Sequence, residues 1–208
     1  MSQSDRHSNS TLVFLRALLK SPLGVGAIAP SGERLALAMA RVVPLSSHLP
    51  VVELGGGTGA VTATLLRRIP AERLIVLERD PDLARHLRRK FPKVTVVQGD
   101  ARHLGRHLRA LGVGRVGAVV SGLPMVTMSK RIQRDVLNAA FSVMEPGGPF
   151  IQFTYSLFSP LPRREFGITG RLVARVLQNV PPASVWVYSR PAHRASRKVA
   201  DEPRAEAC

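Results

Sequence analysis

The most constraining feature of the sequence is a glycine-rich segment at residues 51–62, which reads VVELGGGTGAVT. A β-branched run, a cluster of glycines and the start of a helical pattern predict a strand, a tight loop and a helix in succession. Glycines let the backbone approach a ligand closely, and the helix start directs free N–H groups at the loop. The lysine of a phosphate-binding P-loop is absent, and the spacing of Gly55, Gly57 and Gly59 departs from G-x-G-x-x-G, which disfavours NAD.

From residue 51 onward, short β-branched runs alternate with longer amphipathic runs, which is typical of βαβ units around a largely parallel sheet. The predicted strands are residues 51–54, 74–78, 94–98, 116–121, 148–155 and 185–189. A less regular run at 171–180 precedes the turn Pro181-Pro182, and we expect it to pair with the last strand as an antiparallel hairpin. The sequence therefore predicts an α/β protein.

Composition fits one basic, globular domain. With 208 residues, of which 45% are hydrophobic, the chain can bury one core. The single cysteine, Cys208, excludes an internal disulfide framework and a cysteine zinc cluster, and it fits a reducing cytosol. No run of apolar residues is long enough for a membrane span, and we expect no signal peptide. The net charge of +16 would attract nucleic acid, anionic membranes or acidic substrates alike.

The two ends of the chain differ from this domain. Residues 11–20, followed by Ser21-Pro22, predict a short helix whose apolar side chains lie within an arc of roughly 160°. These are Leu12, Phe14, Leu15, Leu18 and Leu19, with Arg16 and Lys20 beyond the edge of the arc. Such a helix either packs on the core or lies among lipid headgroups. We expect an N-terminal segment at 1–24, a main domain at 25–190 and a polar, mobile tail at 191–208.

Three acids follow or end the first three predicted strands. Glu53 precedes the glycines, where an acid can hold the ammonium group of an amino-acid moiety. Glu78 lies 19 residues after Gly59, close to the spacing of ribose-binding acids, and Asp100 after the third strand can accept from an adenine amino group. Each acid alone could be a helix cap or a turn carboxylate. Because the carboxyl ends of parallel strands share one edge, the three together predict a nucleoside ligand that carries an amino-acid moiety.

This pattern resembles that of the class I S-adenosylmethionine-dependent methyltransferases, over roughly residues 51–189. The resemblance implies a Rossmann-like fold: a mostly parallel sheet of seven strands in the order 3-2-1-4-5-7-6, with an antiparallel last strand and flanking helices. It also implies S-adenosylmethionine as cofactor, S-adenosylhomocysteine as product and no metal. The predicted cofactor-binding residues are Ile28, Pro30, Glu53, Gly55, Gly57, Thr58, Gly59, Glu78, Arg79, Gly99, Asp100, Ala101 and Ser121.

After the fourth strand the chain reads Ser121-Gly122-Leu123-Pro124-Met125. Enzymes that methylate adenine amino groups carry Asn-Pro-Pro-Tyr or a close variant here, in which the amide orients the amino group and the aromatic ring stacks on the base. In this chain Ser121 and Met125 replace the amide and the ring, so a flipped base would lose its stacking platform. A small aliphatic amine would not need one.

A closer resemblance is to the bacterial phospholipid N-methyltransferases, which convert phosphatidylethanolamine stepwise to phosphatidylcholine and are related to the rRNA adenine dimethyltransferases. It is carried by residues 25–31 (VGAIAPS), 53–59 (ELGGGTG), 121–124 (SGLP), and 152–155 (QFTY) with 179–183 (NVPPA). The resemblance implies a membrane-associating N-terminal helix and a cytoplasmic protein bound peripherally and reversibly to the inner face of the cell membrane. The expected partners are phosphatidylethanolamine, its methylated derivatives, phosphatidylglycerol and cardiolipin, with no nucleic acid.

Two other functions stay open at this point. The chain could be an rRNA adenine N6-methyltransferase or another small-amine methyltransferase, or it could be a basic binding module without catalysis. The segment 85–109 holds eight Lys and Arg residues and Asp100 as its one acid, which suits an anionic lipid surface or rRNA equally well. The alternative is a solubilising helix face.

We expect the reacting groups to lie after the fourth and fifth strands. The candidates are Tyr155, Ser121, Leu123 and Pro124, with Tyr155 contacting the amine or, alternatively, packing as a half-buried core residue. The lipid phosphate would be held by Lys130 and Arg131, or by Arg163 and Arg164. His103 and His107 are four residues apart but lack a third ligand, so we interpret them as surface groups.

Overall fold

The computed structural model describes residues 30–156, 158–177 and 182–191. The predicted N-terminal helix with its membrane-facing residues, Ile28 and residues 192–208 of the predicted tail lie outside these ranges. So does the 179–181 part of the fourth family-like stretch. Pro30 begins the first helix of the described part.

The elements alternate along the chain as the sequence predicts. The helices are α1 (Pro30–Ala40), α2 (Ala60–Leu65), α3 (Pro81–Lys90), α4 (Leu104–Ala110) and α5 (Lys130–Val143). The strands are β1 (Val51–Leu54), β2 (Leu74–Glu78), β3 (Thr95–Gln98), β4 (Ala118–Ser121), β5 (Phe150–Thr154), β6 (Thr169–Val176) and β7 (Ala183–Ser189). Short 3-10 turns at Ala71–Arg73, Ala101–His103 and Met125–Thr127 complete the connections.

The seven strands form one sheet in the order β3-β2-β1-β4-β5-β7-β6, which confirms the predicted topology. Strands β1 to β5 are parallel, whereas β7 runs antiparallel to both β5 and β6. The predicted hairpin is therefore present, although β6 begins two residues earlier than expected because Thr169 pairs with Ser189. The register shifts between Leu172 and Ala174, where a bulge interrupts the pairing.

Helices cover both faces of this sheet, so the central strands have no polar face. Val52, Leu54 and Ile75 point into one core, which α4 and α5 close with residues such as Leu108 and Val136. The opposite core holds Val51, Val76 and Val120 together with side chains of α1 and α3 such as Met39 and Leu87. Burial on both faces explains why β1, β2 and β4 read as nearly continuous apolar runs.

This topology brings the loops after β1 to β5 to one edge of the sheet, because parallel strands end on the same side. The glycine loop, Glu78, Asp100, Ser121 and Tyr155 all lie on or directly after strand ends at that edge. Within the described ranges, no helix combines the length and the apolar character needed to cross a bilayer.

Candidate cofactor and substrate site

The glycine loop after β1 adopts backbone conformations that favour glycine. Gly55, Gly57 and Gly59 have φ values of +76°, +54° and +84°, a region that other residues enter only with strain. A Cβ on Gly55 would lie 3.0 Å from Leu123 Cδ2, whereas a Cβ on Gly57 would meet no heavy atom within 4 Å. The loop is thus packed on one side and open at Gly57, as a cradle for a ligand requires.

Glu78 joins the end of β2 to this loop. Its side chain is buried, with Oε2 accepting a hydrogen bond from the Gly57 N–H at 2.9 Å and Oε1 accepting one from the Asp80 N–H at 2.9 Å. A carboxylate has about four lone-pair positions, so these two bonds leave capacity for ribose hydroxyls. The geometry fits the predicted ribose-binding role.

Glu53 lies within β1, one residue before its end, and is fully buried. The Thr62 hydroxyl donates to its Oε2 at 2.7 Å. Burial, with a smaller contribution from the nearby Glu78 carboxylate, raises the pKa of Glu53 to about 8 against the opposing effect of the hydrogen bonds from Thr62. At neutral pH the ligand-free protein therefore holds this carboxyl mostly protonated. A cation placed beside it would favour the carboxylate.

Asp100 already has a cationic partner inside the protein. Its carboxylate caps the turn Ala101–His103 by accepting from the Arg102 N–H at 2.9 Å, and the Arg102 guanidinium lies 2.8 Å from Oδ2. The hydrogen bonds from Arg102 hold the pKa of Asp100 at about 2. An adenine amino group would therefore have to share this carboxylate with Arg102. Arg79, another predicted site residue, is exposed nearby and adds to the same positive field.

His107 requires a correction, because the sequence placed it on the surface. Its imidazole packs against Gly99, so closely that a Cβ on Gly99 would collide with Nε2. Nε2 is buried and has no hydrogen-bond partner. The Gly99 N–H in turn donates to the Glu78 carbonyl at 2.9 Å, which ties the ends of β2 and β3 together. His103, by contrast, is exposed as expected.

The segment that starts at the last residue of β4, residues 121–128, lies directly against the glycine loop. The Gly122 N–H donates to the Leu54 carbonyl at 2.8 Å, and a Cβ on Gly122 would lie 2.8 Å from the Gly55 oxygen. Ser121 is fully buried, and its Oγ accepts from the Leu123 N–H at 3.3 Å. The structure thus brings the predicted residues Ser121, Leu123 and Pro124 next to the predicted cofactor loop. We call residues 121–128 the post-β4 loop below.

Tyr155 follows β5 directly and is half-buried. Its ring packs edge-on against Phe153, with centroids 5.5 Å apart, beside the core cluster that includes α1. This environment is compatible with both predicted roles of Tyr155, as a contact to the substrate amine or as a half-buried core residue.

Two of the four basic residues predicted to hold a phosphate already have protein partners. Lys130 Nζ lies 2.7 Å from Glu165 Oε2, and Arg163 donates to the Gly170 carbonyl at 2.9 Å while lying over the Trp186 ring. Arg131 and Arg164 are exposed. In the described part of the chain, no group of three or more His, Cys, Asp or Glu residues could hold a metal ion.

Sequence reasoning assigned no role to two buried glutamines near the post-β4 loop. Gln152 on β5 donates to the Leu123 carbonyl at 2.9 Å, and Gln133 on α5 donates to the Met125 carbonyl at 2.7 Å. For Gln152 the sequence did carry an indication, because a glutamine inside a mostly apolar strand is seldom buried without a specific hydrogen-bond partner.

Comparison with known proteins identifies the family. Residues 51–148 match a family model described as "Methyltransferase domain". The chain is also 40% identical over 146 residues to an ornithine lipid N-methyltransferase of Singulisphaera acidiphila, an alignment that covers 68% of this chain and 76% of the relative. The chain belongs to the class I S-adenosylmethionine-dependent methyltransferases. S-adenosylmethionine is accordingly the cofactor of this methyltransferase, and the open cradle at Gly57 beside Glu78 fits it.

Two further proteins are similar to this methyltransferase. A ribosomal RNA small subunit methyltransferase A of Anaeromyxobacter dehalogenans is 27% identical over 162 residues, covering 71% of this chain and 56% of the relative. A solved structure of magnesium protoporphyrin IX methyltransferase from Synechocystis PCC 6803 with bound S-adenosylmethionine has a TM-score of 0.60 at 11% identity. That structural match covers 81% of this chain and 88% of the other. It supports the Rossmann-like fold.

Proposed function

We propose that this methyltransferase transfers methyl groups to the primary amine of phosphatidylethanolamine, stepwise to the mono- and dimethylated lipids and to phosphatidylcholine. The 40% identity to a protein named as a lipid N-methyltransferase, over most of both chains, supports a lipid amine as the methyl acceptor. The choice of phosphatidylethanolamine rests on the sequence stretches 53–59, 121–124 and 152–155. The relatives named for rRNA are less similar over comparable lengths, with 27% identity for the one that covers most of this chain.

The post-β4 loop supports an aliphatic amine over a nucleobase. The post-β4 loop reads SGLPMVTM and holds neither an amide nor an aromatic side chain, and Ser121 and Met125 are almost completely buried. Neither can present a planar surface to a flipped base, whose extrusion depends on stacking inside the enzyme. A lipid amine has no ring to stack and needs only to be aligned.

The chain's own residues then have distinct tasks. Bound S-adenosylmethionine supplies a sulfonium methyl that a neutral amine attacks in line, a reaction that depends mainly on proximity and alignment. Glu78 and the Gly57 backbone hold the ribose side of the site, Asp100 the adenine side, and Glu53 the region of the amino-acid moiety. Leu123 and Pro124 border the path of the amine. Tyr155 contacts the amine, and its ring attracts the methylated cation.

We propose peripheral, reversible binding to the inner face of the cell membrane. The predicted N-terminal helix would insert its apolar side chains, and the basic residues of 85–109, all of them exposed, would attract anionic lipids such as phosphatidylglycerol and cardiolipin. Each Lys or Arg near such a surface contributes about 1 kcal/mol. Arg131 and Arg164, with Lys130 and Arg163, are the candidates for holding the lipid phosphate.

Ornithine lipid is the second candidate substrate, because the relative above carries it in its name. The deciding experiment incubates the protein and labelled S-adenosylmethionine with vesicles of phosphatidylethanolamine, with vesicles of ornithine lipid, or with rRNA. We expect label in phosphatidylethanolamine. Label only in ornithine lipid would move the substrate to that lipid, and label only in rRNA would overturn the proposed function.

A further inference from the structure

Two buried glutamine side chains fasten the post-β4 loop from beneath. Gln152 donates through Nε2 to the carbonyls of Leu123 and Phe153, at 2.9 and 2.8 Å. Gln133 donates through Nε2 to the carbonyls of Met125 and Met128, at 2.7 and 3.2 Å. Relative exposure is 0% for Gln152 and 5% for Gln133, so both amides act out of contact with solvent.

In each glutamine the amide nitrogen is hydrogen-bonded but the amide oxygen is not. Gln152 Oε1 and Gln133 Oε1 are buried and have no hydrogen-bond partner. Exchanging the oxygen and nitrogen of either amide would set its carbonyl against backbone carbonyls, so the four acceptors determine the orientation. An unpaired buried acceptor lowers stability, and such departures from a well-satisfied core concentrate at functional sites. We therefore expect the hydrogen bonds from the two glutamines to the loop to serve the function of the site.

Leu123 connects Gln152 to the glycine loop, because its carbonyl accepts from Gln152 and its side chain lies against Gly55. The carbonyl accepts from the Met125 N–H at 2.8 Å as well as from Gln152, so both of its lone pairs are occupied. It is not available to accept from a substrate amine. Its two bonds instead fix the backbone that places the Leu123 side chain against Gly55.

We propose that Gln152 is a positioning residue of the methyl-transfer site, which holds the post-β4 loop in register with the glycine loop so that the amine aligns with the methyl group. The inference rests on the proposed methyl transfer. Because a small misplacement of reacting atoms slows an in-line displacement strongly, the loss of Gln152 lowers kcat. Cofactor affinity stays nearly constant, because the hydrogen bonds of Gln152 go to Leu123 and Phe153 and not to Glu78 or the glycine loop.

The first test is Gln152→Met, which keeps the length of the side chain but removes both the amide donors and the unpaired oxygen. We expect at least a tenfold lower kcat than for the wild type, an affinity for S-adenosylmethionine within about twofold, and a thermal unfolding midpoint close to that of the wild type. A stable variant with wild-type kcat overturns the inference.

The second test, Gln152→Glu, adds a pH signature in kcat, measured at each pH well below the unfolding midpoint of the variant so that a loss of stability does not produce it. Burial raises the pKa of a carboxyl, and only the protonated form can donate to the Leu123 carbonyl. The kcat of this variant relative to the wild type should fall as pH rises from 6 to 9. Gln133→Glu is the matched control, because it places a similarly buried carboxyl beneath the same loop. Gln133 donates to Met125 and Met128 and not to Leu123, so we expect a smaller loss of kcat.

The ratios of variant to wild type are measured with whichever acceptor the wild type methylates. A wild-type protein that labels rRNA and no lipid would overturn the proposed function, whereas the ratio with rRNA would still test Gln152. Equal losses of kcat in the variants at positions 152 and 133, in proportion to their loss of stability and without the pH dependence, would make Gln152 a structural residue only.

Discussion

At the scale of single residues, the acids around the cofactor loop experience opposite environments. Burial raises the pKa of Glu53 to about 8, whereas hydrogen bonds from Arg102 hold the pKa of Asp100 at about 2. Glu53 is thus mostly neutral at pH 7 and Asp100 is ionised. The sequence identified both acids, but it could not assign these states, because the fold creates both the burial of Glu53 and the contact between Asp100 and Arg102.

We predict that Glu53 makes cofactor binding pH-dependent. The cofactor's ammonium group would favour the carboxylate, so binding below pH 8 should release a proton, and affinity should rise with pH until about 8. The Glu53→Gln variant should lack the proton release and the pH dependence of affinity that come from Glu53. The comparison with the wild type by titration calorimetry, in buffers of different ionisation enthalpy, separates Glu53 from the cofactor's own titration. Equal proton release by both proteins would contradict the assignment.

The same substitution should stabilise the ligand-free protein at alkaline pH. A carboxyl whose folded-state pKa exceeds its unfolded value loses stability as pH rises from about 4.5 to about 8. Glu53→Gln removes that loss, so we expect the free energy of unfolding to rise by roughly 4 kcal/mol at pH 8, with a correspondingly higher Tm. Thermal unfolding at pH 5 and pH 8 checks this, because the gain should nearly vanish at pH 5.

Glu78 should contribute more directly to affinity. Glu78→Ala removes the acceptor of the Gly57 N–H and the predicted ribose contact, so we expect S-adenosylmethionine to bind about 2 kcal/mol more weakly. Glu78→Gln retains one carbonyl acceptor and should show an intermediate loss. Unchanged affinity in a folded Ala variant, measured by calorimetry, would remove Glu78 from the site.

At the scale of elements, the sequence predicted most of the framework and little of its fine structure. The bounds of β1 and β2 match the prediction because their apolar runs end abruptly at glycine or charged residues. The start of helix α2 at Ala60 was not predicted by the pattern, because it depends on the left-handed conformation of Gly59, which ends the loop. Contacts such as that between Lys130 and Glu165 join residues far apart in the chain, so local patterns could not indicate them.

The glycine loop offers a matched pair of substitutions. Gly57 and Gly112 both have positive φ, +54° and +71°, and a Cβ on either would meet no heavy atom within 4 Å. Alanine should therefore strain each backbone similarly, at about 1 kcal/mol. Only Gly57→Ala fills the proposed cradle, so only it should weaken S-adenosylmethionine binding. Equal affinity of the two variants, measured beside their unfolding free energies, would mean that the cradle lies elsewhere.

The end of β5 carries the predicted contact to the amine. Tyr155→Phe keeps the ring that packs against Phe153 but removes the hydroxyl. We expect turnover to fall several-fold with nearly constant cofactor affinity, because the hydroxyl would act on the amine and not on the cofactor. Steady-state kinetics on vesicle substrate give the measurement. Unaltered turnover would leave Tyr155 as a core residue.

At the scale of the whole molecule, residues 85–109 form a strongly basic segment that could attract an anionic surface. The eight Lys and Arg residues of 85–109 are all exposed, and the one acid among them, Asp100, is already paired with Arg102. Arg85 is paired with Asp82, just outside the segment, so within the described part of the chain six of the eight basic residues have no acid in an ion pair with them and the segment keeps a large positive charge. Such a field falls off within a Debye length, about 8 Å at physiological salt, so it acts only when the protein is close to an anionic surface.

Membrane binding should accordingly depend on charge and on the predicted N-terminal helix together. A helix as short as residues 11–20 binds marginally by itself, because ordering it offsets most of the gain from burying its leucines. We predict strong sedimentation with vesicles that contain phosphatidylglycerol or cardiolipin, weak sedimentation with purely zwitterionic vesicles, and release by salt. Leu15→Glu combined with Leu18→Glu should abolish vesicle binding and lipid methylation while S-adenosylmethionine affinity stays intact. If that double variant methylates vesicle lipid at the wild-type rate, the N-terminal segment has no interfacial role and the basic surface alone must bring the site to the membrane.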